Sequence, residues 1–93
     1  MTEHRILKYK IPVQDEYHFE LPVGSEILSV AEQHNEIVVY ALVAVTDEDM
    51  SKRKVDIHVI GTGHYIKKSI KEYKFLGTVN LYNGRLMFHV FYR

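Results

Sequence analysis

Apolar residues in this chain come in short runs, separated about every ten residues by polar or glycine-bearing breaks. The breaks read PVGSE (22–26), HNE (34–36), TDEDMSKRK (46–54), GTGH (61–64) and YNGR (82–85). Between them lie stretches rich in Ile, Val, Tyr and Phe, side chains that fit a pleated, half-buried surface. The pattern predicts strands over 6–11, 17–21, 27–33, 36–45, 55–60, 75–81 and 86–92. Asn83-Gly84 between the last two fits a two-residue type I′ turn, where both central residues need positive φ. A short helix fits only at 66–73, where Ile66, Ile70 and Tyr73 share one face; two turns need tertiary support to persist. The fold class is therefore all-β with at most one short helix. It is expected as a compact, mostly antiparallel seven-strand sandwich or barrel-like meander in a single domain over 1–93.

Two strands are apolar on both faces. In IVVYALVAV, Ile37, Val39, Ala41, Val43 and Val45 point one way and Val38, Tyr40, Leu42 and Ala44 the other. In LMFHVFY, Leu86, Phe88, Val90 and Tyr92 oppose Met87, His89 and Phe91. One thin sheet cannot bury both faces. Either a sandwich puts these strands at its centre and something covers the outside, or a partner chain does, and a homo-oligomer, dimer or tetramer, is expected.

Ninety-three residues without cysteine exclude disulfides and thiolate metal sites. A domain this short buries only about 60–65% of its unfolded surface, which is a further reason to expect self-association. The start of the chain is mixed in charge with no apolar core, and the longest apolar run, 37–45, is too short to span a bilayer. A cytoplasmic protein without membrane contact is expected. Net charge is zero but unevenly spread: residues 11–51 hold nine acidic residues and no Lys or Arg. From Lys52 onward, nine Lys/Arg stand against Asp56 and Glu72, an excess of nine minus two, or seven. Acidic strands would face any extended polyanion, which argues against long nucleic acid, while a compact anion at one basic spot escapes the objection. The bland alternative is that the two halves attract each other on folding.

Gly61-Thr62-Gly63-His64 is the candidate for such a spot. Glycines permit left-handed conformations in which successive N–H groups point into one concavity, an anion-binding nest. The Thr62 hydroxyl adds a donor, His64 can bond a phosphate or stack on a base, and Lys67 and Lys68 add charge. Tyr65 is the best stacking candidate among the seven tyrosines. Arg93 would clamp a phosphate in a bidentate fork if the last strand ran beside the loop; Arg5 and Lys8 are weaker candidates. The competing reading is a strand-ending turn that needs glycine for geometry alone. The six histidines show no HxH or HExxH spacing, so no metal site is expected. Asp56 and His58 share a strand face, and His89 sits among apolar residues, where a histidine needs a hydrogen-bond partner. No serine stands in a nucleophile elbow, so no catalytic residues and no cofactor are assigned.

The series LPVGSEILSV, VVYALV, VIGTGH, FLGTV and FHVF resembles a widespread family of small bacteriophage proteins across nearly the whole chain. Tyr40 departs from it, standing where a tryptophan is expected. The family is identified as one that includes phage immune-evasion sponges, which sequester nucleotide second messengers of bacterial CBASS or Thoeris defence. The resemblance implies an oligomeric β-rich binder in the infected host's cytoplasm. It would hold a cyclic dinucleotide such as cGAMP, or a cyclic ADP-ribose isomer, without cleaving it. It would carry over Gly61, Thr62, Gly63 and His64, and His89 with them; Tyr65, Lys67 and Arg93 are added on physical grounds. The other readings are a protein-interaction module or small structural phage protein, and a cyclic nucleotide phosphodiesterase.

Overall fold

The computed structural model describes residues 3–45 and 51–93. Its seven strands are β1 (Glu3–Ile11), β2 (Glu16–Pro22), β3 (Glu26–Gln33), β4 (Glu36–Val45), β5 (Lys52–Gly61), β6 (Lys74–Leu81) and β7 (Leu86–Tyr92). They form two antiparallel sheets, one in the order β1-β4-β3 and one in the order β2-β5-β7-β6. The expected all-β class holds, as a two-sheet sandwich. All seven expected strands are present within three residues at either end. The largest differences are at β1, which begins at Glu3 rather than at residue 6, and at β5, which begins at Lys52 rather than at residue 55, because Pro22, Leu21 and Glu20 of β2 extend the ladder to Lys52, Arg53 and Lys54. Residues 46–50 of the expected 46–54 turn, with its acidic residues at 47–49, lie outside the described residues.

Strand alternation sends one face of each sheet inward. Ile37, Val39, Ala41 and Val43 of β4 meet Val55, Ile57 and Val59 of β5, with Val79, Leu81 and Val90 completing a buried cluster. Phe88 and Tyr92 pack against the same cluster. The face assignment of β7 therefore holds for Phe88, Val90 and Tyr92, which point in, and for Met87, His89 and Phe91, which point out; Leu86, at the start of the strand, is exposed and outside the cluster. The outer face of β4 needs less cover than expected. Val38 is only 1% exposed, with Lys10 of β1 and Ala31 of β3 as its register partners. Ala44 is buried too, its N–H donating to Ser25 Oγ at 3.0 Å.

One open side of the sandwich closes where the edge strands β3 and β6 approach. Both bulge there, β3 between Ile27 and Ser29, β6 between Phe75 and Gly77. A Cβ on Gly77 would lie 2.8 Å from Val30 Cγ1, nearer than packed carbons come, so the approach requires glycine. Beyond it the two hairpin tips join: the Tyr82 N–H donates to Asn35 Oδ1 at 3.0 Å. That bond accounts for a difference from expectation. Asn83 and Gly84 do sit at the turn centre with φ of 56° and 90°, but Tyr82 is also left-handed at 51°. The ladder ends at Leu81–Leu86, so the loop has four residues instead of two.

β5 and β6 both pair with β7, so the chain must return from the end of β5 to the start of β6. It does so through residues 62–73, which include a 3-10 helix over Lys68–Glu72 in place of the expected helix at 66–73. Its N-cap is Lys67, with no capping hydrogen bond and no acidic residue in the first turn. Lysines at 67 and 68 oppose the helix dipole, and nothing there nucleates a longer α-helix.

Candidate binding site

The crossover lies on the outer face of the four-stranded sheet. Tyr73 sets its ring edge-on to His58 of β5, with centroids 4.6 Å apart and an interplanar angle of 82°. Between crossover, β5 and the start of β2 lies a cleft of about 390 Å³. Ile60, Ile66 and Ile70 supply its apolar surface; His64, Tyr65, Lys67 and Ser69 bring polar groups from the crossover, Asp15 and Glu16 from the start of β2, and His58 from β5 beside Glu16. At the rim Lys67 Nζ is 3.6 Å from Glu16 Oε1, and both side chains are largely exposed.

The Gly61–His64 loop is a β-turn closed by the His64 N–H donating to the Gly61 carbonyl at 3.2 Å. Gly63 has φ of 87°, as the third position of a type II turn requires. The Thr62 N–H donates to the Met87 carbonyl at 3.4 Å. Two N–H groups of the expected nest are thus committed inside the protein. The His64 ring folds back against Gly61, where a Cβ would come within 3.2 Å of His64 Cε1.

The Thr62 hydroxyl is committed as well. His89 lies on the outer face of β7, half-buried, with Nε2 2.7 Å from Thr62 Oγ1 and Nδ1 2.9 Å from Thr78 Oγ1. Because a hydroxyl gives or takes a proton, both ring nitrogens are satisfied by threonines from β6 and from the end of β5. The two Gly-Thr pairs of the sequence, 61–62 and 77–78, flank one imidazole. His89 is a hydrogen-bonded outer-face histidine beside Ile60, its register partner.

Arg93 stands apart. β7 runs antiparallel to β5, so Arg93 pairs through both backbone groups with Asp56, at 2.9 and 3.0 Å. Asp56 is five residues from Gly61, about 17 Å along the strand. The guanidinium is 2.9 Å from Glu72, 3.5 Å from Asp56 and 4.6 Å above the Tyr73 ring. The condition for a phosphate clamp beside the GTGH loop is not met, because β7 ends opposite the middle of β5, at Asp56, well away from Gly61. Arg93 instead pins the end of the crossover to the sheet.

Of the expected residues, the fold gathers His64, Tyr65 and Lys67 at the cleft, with the Gly61–Gly63 turn and His89 behind it. It adds Asp15, Glu16, His58, Ile60 and Ser69, which the sequence does not connect. Their link is the β2–β5 register, which sets Glu16 opposite His58, His18 opposite Asp56 and Glu20 opposite Lys54. The charge halves meet less than expected: among the described ion pairs only Lys67–Glu16 joins the acidic 11–51 stretch to the basic part after Lys52. Lys10–Glu36, Lys54–Asp56 and the Arg93 pairs do not. Among the described residues no three His, Asp or Glu come together to hold a metal ion, and no helix is long and apolar enough to cross a membrane.

A family model described as a domain of unknown function, DUF7352, matches residues 2–93. No curated protein and no solved structure is significantly similar to the chain.

Proposed function

The chain belongs to the DUF7352 family, and within it we propose a binder that captures a compact cyclic nucleotide and holds it intact. The observation that carries this reading is the crossover cleft. One twelve-residue segment brings an imidazole, a phenol, an ammonium and a hydroxyl (His64, Tyr65, Lys67, Ser69) to a shared depression with isoleucine walls. Apolar walls seat a flat base, and convergent donors hold phosphate. A volume of about 390 Å³ is at the small end of ligand sites and suits one nucleotide unit. In biological terms this is the sponge role that the resemblance to phage proteins implies: sequestering a cyclic dinucleotide or cyclic ADP-ribose isomer in the infected cell's cytoplasm and blunting CBASS or Thoeris signalling. Arg93 stays outside the ligand set because β7 ends at Asp56, about 17 Å along β5 from the Gly61 turn. The working unit in this proposal is an oligomer, joined where Ile6 (63% exposed) and Leu28 (42% exposed) stand out on the three-stranded sheet.

The test is thermal denaturation of the purified chain against a panel of cyclic dinucleotides and cyclic ADP-ribose isomers. A ligand at 100 times its Kd adds about 2.7 kcal/mol, several degrees for a domain of this size. Ligand recovered after denaturing the protein should be unchanged, and Lys67→Ala with His64→Ala should abolish the shift. No shift across the panel, or recovery of cleaved nucleotide, sinks the proposal.

A protein-binding role draws on a different observation. Phe75 is 58% exposed and Met87 38% on the outer face of β6 and β7, where Phe75 meets Phe91 at 5.2 Å between centroids. Such a pair is a natural anchor for a protein partner. If the nucleotide panel is silent, Phe75→Ser should remove whatever the chain retains from bacterial lysate.

A further inference from the structure

The cleft is polar in two opposite ways, and that polarity carries base selectivity. On the β2 side stand Asp15 and Glu16, whose ionised carboxylates only accept hydrogen bonds. On the crossover side stand Lys67, which only donates, and the hydroxyl of Ser69. Ile60 and Ile70 add apolar surface to the same cleft. A ligand filling the space must turn donors to one wall and anionic acceptors to the other, with a flat apolar face between. Phosphate against the carboxylate wall is repelled, so a nucleotide enters in one orientation, phosphate to Lys67 and base edge to Asp15 and Glu16.

Given that the cleft binds a nucleotide at all, we propose that it selects guanine. Guanine presents two adjacent donors, N1–H and the N2 amino group, on the edge that meets the carboxylates, and one carboxylate takes both. Adenine presents only its N6 amino group there, beside N1, an acceptor that a carboxylate repels. Cytosine likewise offers one amino group beside an acceptor. The Glu16–Lys67 pair at the rim, 3.6 Å apart, must open as the ligand enters; the carboxylate then exchanges its ammonium partner for two neutral base donors, and the ammonium exchanges its carboxylate for phosphate. The inference assigns Asp15 and Glu16, which no motif marks, as the specificity residues.

The experiment is isothermal titration of the full chain with cyclic di-GMP and with cyclic di-AMP. A bidentate base contact discriminates by about 1–3 kcal/mol. The guanine ligand is therefore expected to bind about 5- to 150-fold more tightly. Asp15→Asn and Glu16→Gln, each with a melting temperature near that of the parent, should together bring the two affinities within about threefold, mostly by weakening cyclic di-GMP. Equal or tighter binding of cyclic di-AMP, or a panel hit confined to cyclic ADP-ribose isomers, overturns guanine selection and leaves the binding reading standing. Loss of cyclic di-AMP and cyclic di-GMP binding in parallel in both variants does the same. Binding of no nucleotide at all overturns both.

Discussion

His89 shows what a single residue reveals only once its neighbours are in place. In the sequence it is a histidine among apolar residues that needs a partner, and the partners, Thr62 and Thr78, lie 27 and 11 positions away. Gly61-Thr62 and Gly77-Thr78 look alike but too brief to mean anything; the register of β5, β7 and β6 makes them two sides of one hydrogen-bonded row. Thr78→Val keeps the shape and removes one partner, which should cost about 1 kcal/mol in urea unfolding. His89→Leu with both threonines changed to valine should cost less than the sum of the separate changes, since no polar group is then left unpaired. Gly77 offers a sharper case. Gly77→Ala drives a methyl into Val30 Cγ1 at 2.8 Å, with an expected loss of about 1–3 kcal/mol. Val30→Ala in the same chain should recover part of that loss, and a double-mutant cycle measures the coupling. If the two costs simply add, β3 and β6 do not meet there.

Among the elements, strands were legible because alternation and turn residues speak locally. The crossover was legible as a segment but not as a structure. Its apolar spacing at Ile66, Ile70 and Tyr73 promises a helix, while Lys67 and Lys68 occupy the end where a helix wants a cap or a carboxylate. The cleft beneath it was legible only in part: His64, Tyr65 and Lys67 belong to the crossover itself, whereas Glu16 and His58 depend on strands paired across about forty residues of chain. The crossover is fastened at its end by Arg93 to Glu72 and Tyr73 and near its middle by Lys67 to Glu16. Exposed ion pairs are worth at most about 1 kcal/mol and weaken with salt. Amide exchange over 64–73 should therefore outpace that of β4, β5 and β7. Arg93→Ala should raise it further while moving the global unfolding midpoint little. Equal protection of crossover and central strands would show a stiffer element than these contacts imply.

At the scale of the whole molecule, the two sheets solve the burial of both strand faces differently from a simple prediction. The crossover covers part of one outer face, including Ile60, and flanking side chains cover most of the other. What is left for a partner copy centres on Ile6 and Leu28. Light scattering at micromolar concentration should return a multiple of 10.9 kDa, and Ile6→Lys should return the single-chain mass. A wild-type chain that scatters as a monomer removes the shared interface and leaves the cleft proposal intact. The placement of β2 has one more consequence, in time rather than space. β1, β3 and β4 complete their sheet within the first 45 residues, but β2, lying between β1 and β3 in sequence, pairs only with β5. A chain emerging from the ribosome can thus assemble one layer early, with its apolar face bare and β2 unpaired, until residues 52–61 appear. The opposite layer is complete only once β7, which lies between β5 and β6, has been made. Pairings this distant in sequence put refolding in the millisecond-to-second range. A nascent chain stalled before β5 is the form that should recruit chaperones.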